Sequence, residues 1–324
     1  MLTTEALLTN KSLYQDKAIG CLAGLATGDA LANDNTADPS RPLAQTPAAA
    51  ATSTAITEFA VLTARALLDN EGRLNVGRVV NAWQSYIVQT GGLPQSARPS
   101  LRGAVANLQQ DILPPLSGVD NVDNNDSSAA AYIAPIGIMC PGDPRTAARL
   151  ARTYAQISHH ADGLWAAQAV AASVAVAMAN GSVTEIIAAG QSNIPDGSWL
   201  GRAMARAMRI CDGARSVENA GERLRNELWT PRPSVSAEAL PQAYAIFRLT
   251  NGDFEQALVR GASFGRDANA IAAILGALSG ARHGATAIPA DWLKQLRRPT
   301  GATLKFTAAE DIPSLAQQIV ELVY

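Results

Sequence analysis

The stretch Ser263–Gly284, SFGRDANAIAAILGALSGARHG, decides the fold. Ile271, Ile274, Leu275 and Leu278 recur at i, i+3, i+4 and i+7, so they share one helical face. Ala268, Ala270, Ala272, Ala273 and Ala277 fill the remaining faces, which predicts a helix buried nearly all round. A polar turn carrying Arg266 and Asp267 leads into it. The free N–H groups of the helix start and the Asp267 carboxylate converge there, and such a point takes a ligand or an ion as readily as it takes a simple cap. Asp267 therefore reads equally well as an N-cap and as a site residue.

The composition extends this reading to the whole chain. Its 324 residues can bury a substantial core, and they are 48% hydrophobic but only 5% aromatic. Alanine dominates, and alanine is the best helix former. Alternating strand patterns are absent, so the expected fold is all-α, a single domain over 1–324 with no composition break. The formal net charge is −2 and no Lys/Arg cluster is evident, which argues against nucleic-acid or anionic-membrane partners. Cys21, Cys140 and Cys211 lie far apart, as expected of buried free thiols rather than disulfides or a metal site. No leader pattern opens the chain, and the apolar run Ala169–Ala179 is too short to span a bilayer, so a soluble, cytoplasmic protein is expected.

Taken in order, residues 15–32 predict a first helix with Gly20, Gly24 and Gly28 every four residues, a bare edge that admits close helix contact. A loop rich in Pro, Asn, Asp and Ser is expected over 33–53. Helices follow near 53–68, 75–90 and 97–113, then a polar loop at 117–128. Asp143–Pro144 opens a helix to 157 with a cap and a proline at the first position. Ser158, His159, His160 and Asp162 stand together before an alanine- and valine-rich helix. A His–carboxylate pair there suits general acid–base work, and the same residues also suit capping and gap filling. Further helices are expected near 182–190, 198–212, 215–227, 235–248 and 252–263, with a last one over 307–323 opened by Thr307.

Several of these stretches resemble one family. KAIGCLAGLATGDALA at the first helix, ISHHADG before the 157–179 helix, GRDANAIA at the last motif and IPADWL at 288–293 resemble the ADP-ribosylglycohydrolases, a superfamily that includes jellyfish lens crystallins. The resemblance runs from about Lys17 to Arg298 and implies an all-α orthogonal helical bundle. It also implies hydrolysis of a glycosidic bond on ADP-ribose, assisted by two Mg²⁺ ions. The ligands of those ions come from the start of the second helix and from an Asp-x-Asp-Thr turn. Here Thr54 is followed by Ala55 and Ile56 where the family has two aspartates, and Asn269 and Ala270 replace the second aspartate and the threonine. The early family glutamate is also missing. One carboxylate, one hydroxyl and one amide are a poor set for two hard cations, so the dinuclear site is expected to be absent and no cofactor is expected.

The expected function is a repurposed family member. It would bind a ribosyl or nucleotide-like small molecule and act, without metal, on an N-glycosidic bond. An oxocarbenium-like centre needs a nearby carboxylate. The candidates are Asp267, Asp29, Glu58 and Asp162, with His159 as proton donor or acceptor. Thr54, Thr57, Asn125, Ser127, Ser158, Arg266 and Asn269 would orient the ligand, with Arg266 suited to a phosphate. The alternative is a non-catalytic member acting as a ligand sensor or interaction protein. A third reading keeps Mg²⁺-dependent ADP-ribosylarginine hydrolysis by recruiting Asp34, Asp123 or Asp126 from loops.

Overall fold

The structure, a computed structural model, describes residues 8–37 and 52–324. Among the described residues the regular elements are all helical, with one isolated bridge between Asp126 and Val235. In chain order they are α1 (Lys11–Ala37), α2 (Ala55–Leu68), α3 (Val76–Trp83), α4 (Pro99–Gln109), α5 (Leu116–Val119), α6 (Ser128–Tyr132), α7 (Ala134–Met139) and α8 (Pro144–Ala155). There follow α9 (Ala161–Met178), α10 (Val183–Gln191), α11 (Trp199–Asp212), α12 (Val217–Glu227), α13 (Ser236–Leu249), α14 (Phe254–Ala262), α15 (Ala268–His283), α16 (Ala290–Gln295) and α17 (Ile312–Glu321).

Residues Ala268–His283 form α15, buried almost throughout from Ala268 to Ala281. Its partner is α1. A Cβ added to Gly20, Gly24 or Gly28 would lie under 3.0 Å from the carbonyl oxygen of Gly280, Gly276 or Ala272 respectively. Gly276 and Gly280 meet the carbonyls of Gly24 and Gly20 in return. Rising numbers on one helix meet falling numbers on the other, so the two run antiparallel with their backbones in contact. The bare edge of α1 was legible in sequence, but its partner edge on α15 was not singled out.

This pairing fixes both ends of the hub. At one end the last turns of α1 lie beside the start of α15, where Asn269 donates to the Asp29 carbonyl at 3.1 Å. At the other, Lys17 is buried and its Nζ donates to Ala281 O and Arg282 O at 2.7 Å and to Ala177 O at 3.3 Å. An ammonium at the carboxyl ends of α15 and α9 meets the negative ends of two helix dipoles. Burial lowers its pKa to about 8, opposed by the charge of Asp16.

Three expectations need correction. The first helix does not stop at 32 but runs to Ala37, because fully buried Ala30, Leu31 and Ala32 carry it past the weak helix formers that follow; the rest of that expected loop, up to residue 51, lies outside the described residues. The last helix is opened not by Thr307 but by Asp311, which accepts from Ser314 N at 3.0 Å and is followed by a proline inside the first turn. Thr307 sits fully buried in a preceding 3-10 turn, its hydroxyl on Leu304 O at 2.7 Å. Finally, α9 is by length and composition able to cross a membrane, but 78% of it is buried inside the fold and it serves as a core helix.

Gly24→Ala should lower stability by about 1–3 kcal/mol or more, because the intruding methyl meets backbone that cannot rotate away. Gly77→Ala, at an exposed position of α3, meets only Asn75 Oδ1 at 3.5 Å and should be neutral or gain roughly 0.5–1 kcal/mol. Urea unfolding of the two variants side by side measures the contrast.

Candidate functional site

The α1–α15 pairing brings Asp29 against the start of α2. Asp29 is fully buried and both of its oxygens are taken. Oδ1 accepts from Thr54 Oγ1 at 2.7 Å and Asn269 Nδ2 at 3.3 Å. Oδ2 accepts from Thr54 N and Thr57 Oγ1 at 2.7 Å and from Thr57 N at 3.3 Å. The carboxylate thus caps α2 from outside its own chain segment. Burial raises its pKa, while the bonds from Thr54, Thr57 and Asn269 oppose the rise.

Asp267 is at the N-cap position of α15 but makes no capping bond with its side chain. Instead Arg98, at the start of α4, grips it with both Nη groups, at 2.5 Å and 3.3 Å, and Ser127 Oγ donates to the same carboxylate. Burial alone would lower the Arg98 pKa, but the Asp267 and Asp126 charges outweigh it and hold the guanidinium protonated. The sequence reading missed Arg98. Its position before Pro99 marks a helix start, but its partner is 169 residues away.

Behind this pair lies a buried polar chain. Asp126 accepts from Ser100 Oγ at 2.6 Å and from Ser128 N and Oγ at 2.8 Å and 2.6 Å. His159 Nε2 is 2.9 Å from Asp126 Oδ1 and 3.2 Å from Ser128 Oγ, and its Nδ1 is 2.7 Å from Ser158 Oγ. Tyr132 closes the chain with its hydroxyl 3.4 Å from Ser158 Oγ. Burial by itself would raise the Asp126 pKa, but the bond and charge of His159, then Arg98, pull it well below the usual carboxylate range. The Asp126 carboxylate and the Ser158 hydroxyl occupy opposite ring nitrogens, but Ser158 is fully buried and is not placed as the nucleophile of a relay.

These elements enclose a cleft of about 510 Å³. Thr54, Ala55 and Ile56 of the α2 start, Arg98, Ser128, Tyr132, Asn269 and the segment from Thr300 to Thr303 line it. Tyr132 belongs to its floor, packed on Phe59 at 5.5 Å and Tyr154 at 6.3 Å between ring centroids. Glu58 borders the cleft, but its carboxylate is filled by donors of the rim: Thr300 Oγ1 at 3.1 Å, the N–H groups of Ala302 and Thr303 at 2.9 Å, and Leu304 N.

The other expected site residues divide clearly. Thr54 and Asn269 line the cleft, while Thr57, Ser127 and Asp267 stand directly behind it. His159 and Ser158 lie deeper, in the buried chain. Asp162 accepts from Leu200 N at 3.2 Å and joins the starts of α9 and α11. Asn125 borders a smaller pocket of about 270 Å³ with Asp123 and Arg232. Arg266 turns to Glu238, reached from Nε at 3.1 Å, and to the Trp229 ring.

The residues present do not fit a pair of Mg²⁺ ions. Hard cations need free carboxylate oxygens, and Asp29 has none to give. Asp267 is neutralised by Arg98, and Ala55 and Ile56 offer no ligand atom. Of the loop carboxylates, Asp126 is spent on His159 and serines and Asp123 is paired with Arg232; the Asp34 side chain lies outside the described residues.

Comparison with known proteins agrees with this architecture. Residues 10–324 match the ADP-ribosylglycohydrolase family, and the chain belongs to it. The family is one of hydrolases acting on glycosyl compounds. An uncharacterized protein of Archaeoglobus fulgidus is 29% identical over 201 residues, which is 61% of this chain and 61% of that relative. A solved ADP-ribosylglycohydrolase-related protein complex superimposes with a TM-score of 0.68 at 19% identity, covering 97% of this chain and 100% of that one, which shows the shared all-α fold.

Asp126→Asn should cost about 3–5 kcal/mol at neutral pH, since it removes one partner of a buried pair. The sign of the pH dependence follows from the depressed pKa. The stabilisation is present above the unfolded carboxylate value of about 3.9 and is lost as pH falls below it toward the lower folded value. Urea midpoints below pH 4 should therefore fall less steeply for the variant than for the unmodified protein.

Proposed function

We propose that the cleft binds a ribosyl or nucleotide-like ligand and acts on its N-glycosidic bond without divalent cations. The observation that carries this reading is the Arg98–Asp267 pair at the cleft wall. Hydroxyl, amide and guanidinium groups line the cavity, a set suited to a polyhydroxylated, anionic ligand. Of the pair, Arg98 is the member that lines the cleft. A ligand phosphate that takes the guanidinium releases the Asp267 carboxylate. Water then attacks the anomeric carbon as the C–N bond breaks toward the leaving nitrogen. Asp267 accepts the water proton and passes it to that nitrogen. The protein is read as soluble and cytoplasmic, with a small molecule as its partner.

A second reading, a ligand-binding member without turnover, is favoured by one specific fact. Asp29, Glu58, Asp162 and Asp267 are all hydrogen-bonded within the fold. The two readings share the same metal-free binding step.

Calorimetric titration with ADP-ribose in the presence of a chelator should show binding that added Mg²⁺ does not tighten. Arg98→Ala should weaken it about tenfold or more, the worth of a charge-assisted pair. Asp267→Asn should retain binding and lose all release of the leaving group. Binding that appears only with Mg²⁺ would sink the proposal; binding without any turnover would select the second reading.

A further inference from the structure

A second groove, which shares no lining residue with the cleft, combines aromatic faces with uncompensated positive charge. Trp199 and Trp229 are 40% and 58% exposed, unusual for tryptophan in a protein that buries Trp83 completely. Both line one groove of about 320 Å³, together with Arg202 and Arg206 of α11. Glu227 also borders it, but its carboxylate is taken by Arg223 at 2.8 Å. Among the described residues neither Arg202 nor Arg206 meets a carboxylate. Each uses one Nη on a backbone carbonyl, of Gly197 and of Glu227, which positions the guanidinium without neutralising it.

The Trp229 ring is held in place. Arg266 lies over it with its guanidinium carbon 5.2 Å from the ring centroid, and Arg266 is itself anchored by Glu238 and by Thr230 O. A preset aromatic surface costs little entropy when a ligand lands on it. Along the linear sequence no Lys/Arg cluster stands out. Helical spacing nevertheless sets Arg202, Arg206 and Arg209 at i, i+4 and i+7 on α11.

We propose that this groove is a binding site for a nucleoside monophosphate. The base stacks on tryptophan and the phosphate is held by Arg202 and Arg206. Stacking on an aromatic side chain suits any base, and guanidinium is the side chain that fits phosphate oxygens in pairs. A volume near the lower end of the roughly 300–1,000 Å³ of small-molecule sites matches one nucleotide rather than a strand. The site does not depend on the function proposed for the cleft.

The test is NMR of the indole N–H groups in the ¹⁵N-labelled full chain, with Trp199→Phe and Trp229→Phe assigning their signals. Titration with AMP should move both signals and saturate. The double variant Arg202→Ala/Arg206→Ala, altered only at exposed positions, should weaken the response about tenfold or more, and adenosine should bind the unmodified protein correspondingly weaker. Indole signals that stay fixed at millimolar AMP would overturn the assignment, as would equal affinity for AMP and adenosine. Because these two indoles are the readout, failure here leaves the Arg98 cleft untouched, and failure there leaves this site standing.

Discussion

Backbone contact between α1 and α15 is the constraint on which the rest of the molecule depends. Two helices that touch through glycine lie closer than side chains would permit, and many weak dispersion contacts replace a layer of apolar groups. The approach carries Asp29 into reach of Asn269 on one side and of Thr54 and Thr57 on the other. Loosening it by one methyl would separate groups whose bonds define the cleft wall.

The electrostatics of that wall follow from the same closeness. A buried carboxylate must be neutralised, solvated by donors or protonated. Asp29 is solvated by hydroxyl and amide donors, Asp267 is neutralised by Arg98, and Asp126 is shared among His159 and two serines. Each solution uses side chains already in the fold. The wall therefore presents hydroxyl groups and one guanidinium to the cavity, where a cluster of bare carboxylates would have called for external cations.

The helices were legible because alanine-rich segments repeat at helical spacing and are punctuated by a strong cap such as Asp143–Pro144, where Asp143 accepts from Thr146 N as expected. The first and last motifs were legible as a resemblance, and Thr54 and Asn269 do meet at one cleft. Arg98 was not legible, because an arginine before a proline carries no sign of a partner 169 residues on. Arg266 misled for the complementary reason. It adjoins Asp267 in sequence, but the turn into α15 points successive side chains apart, one to Arg98 and the other to Glu238. Glu58 looked like a free acid on a helix start, yet it gathers the N–H groups of a segment about 245 residues later.

The hub has a consequence for how the chain is made. Asp29 and Asn269 are 240 residues apart in sequence. The N-terminal helix therefore leaves the ribosome long before its glycine edge can be covered. Until α15 is synthesised, that edge exposes backbone and the alanine-rich surface around it. The hub is thus a contact of very high sequence separation, closed late and paid for in loop entropy. Synthesis of such a chain favours holding factors that shield the first helix. Lys11 with Glu321, and Tyr324 with Leu8 O, then join the first and last described segments.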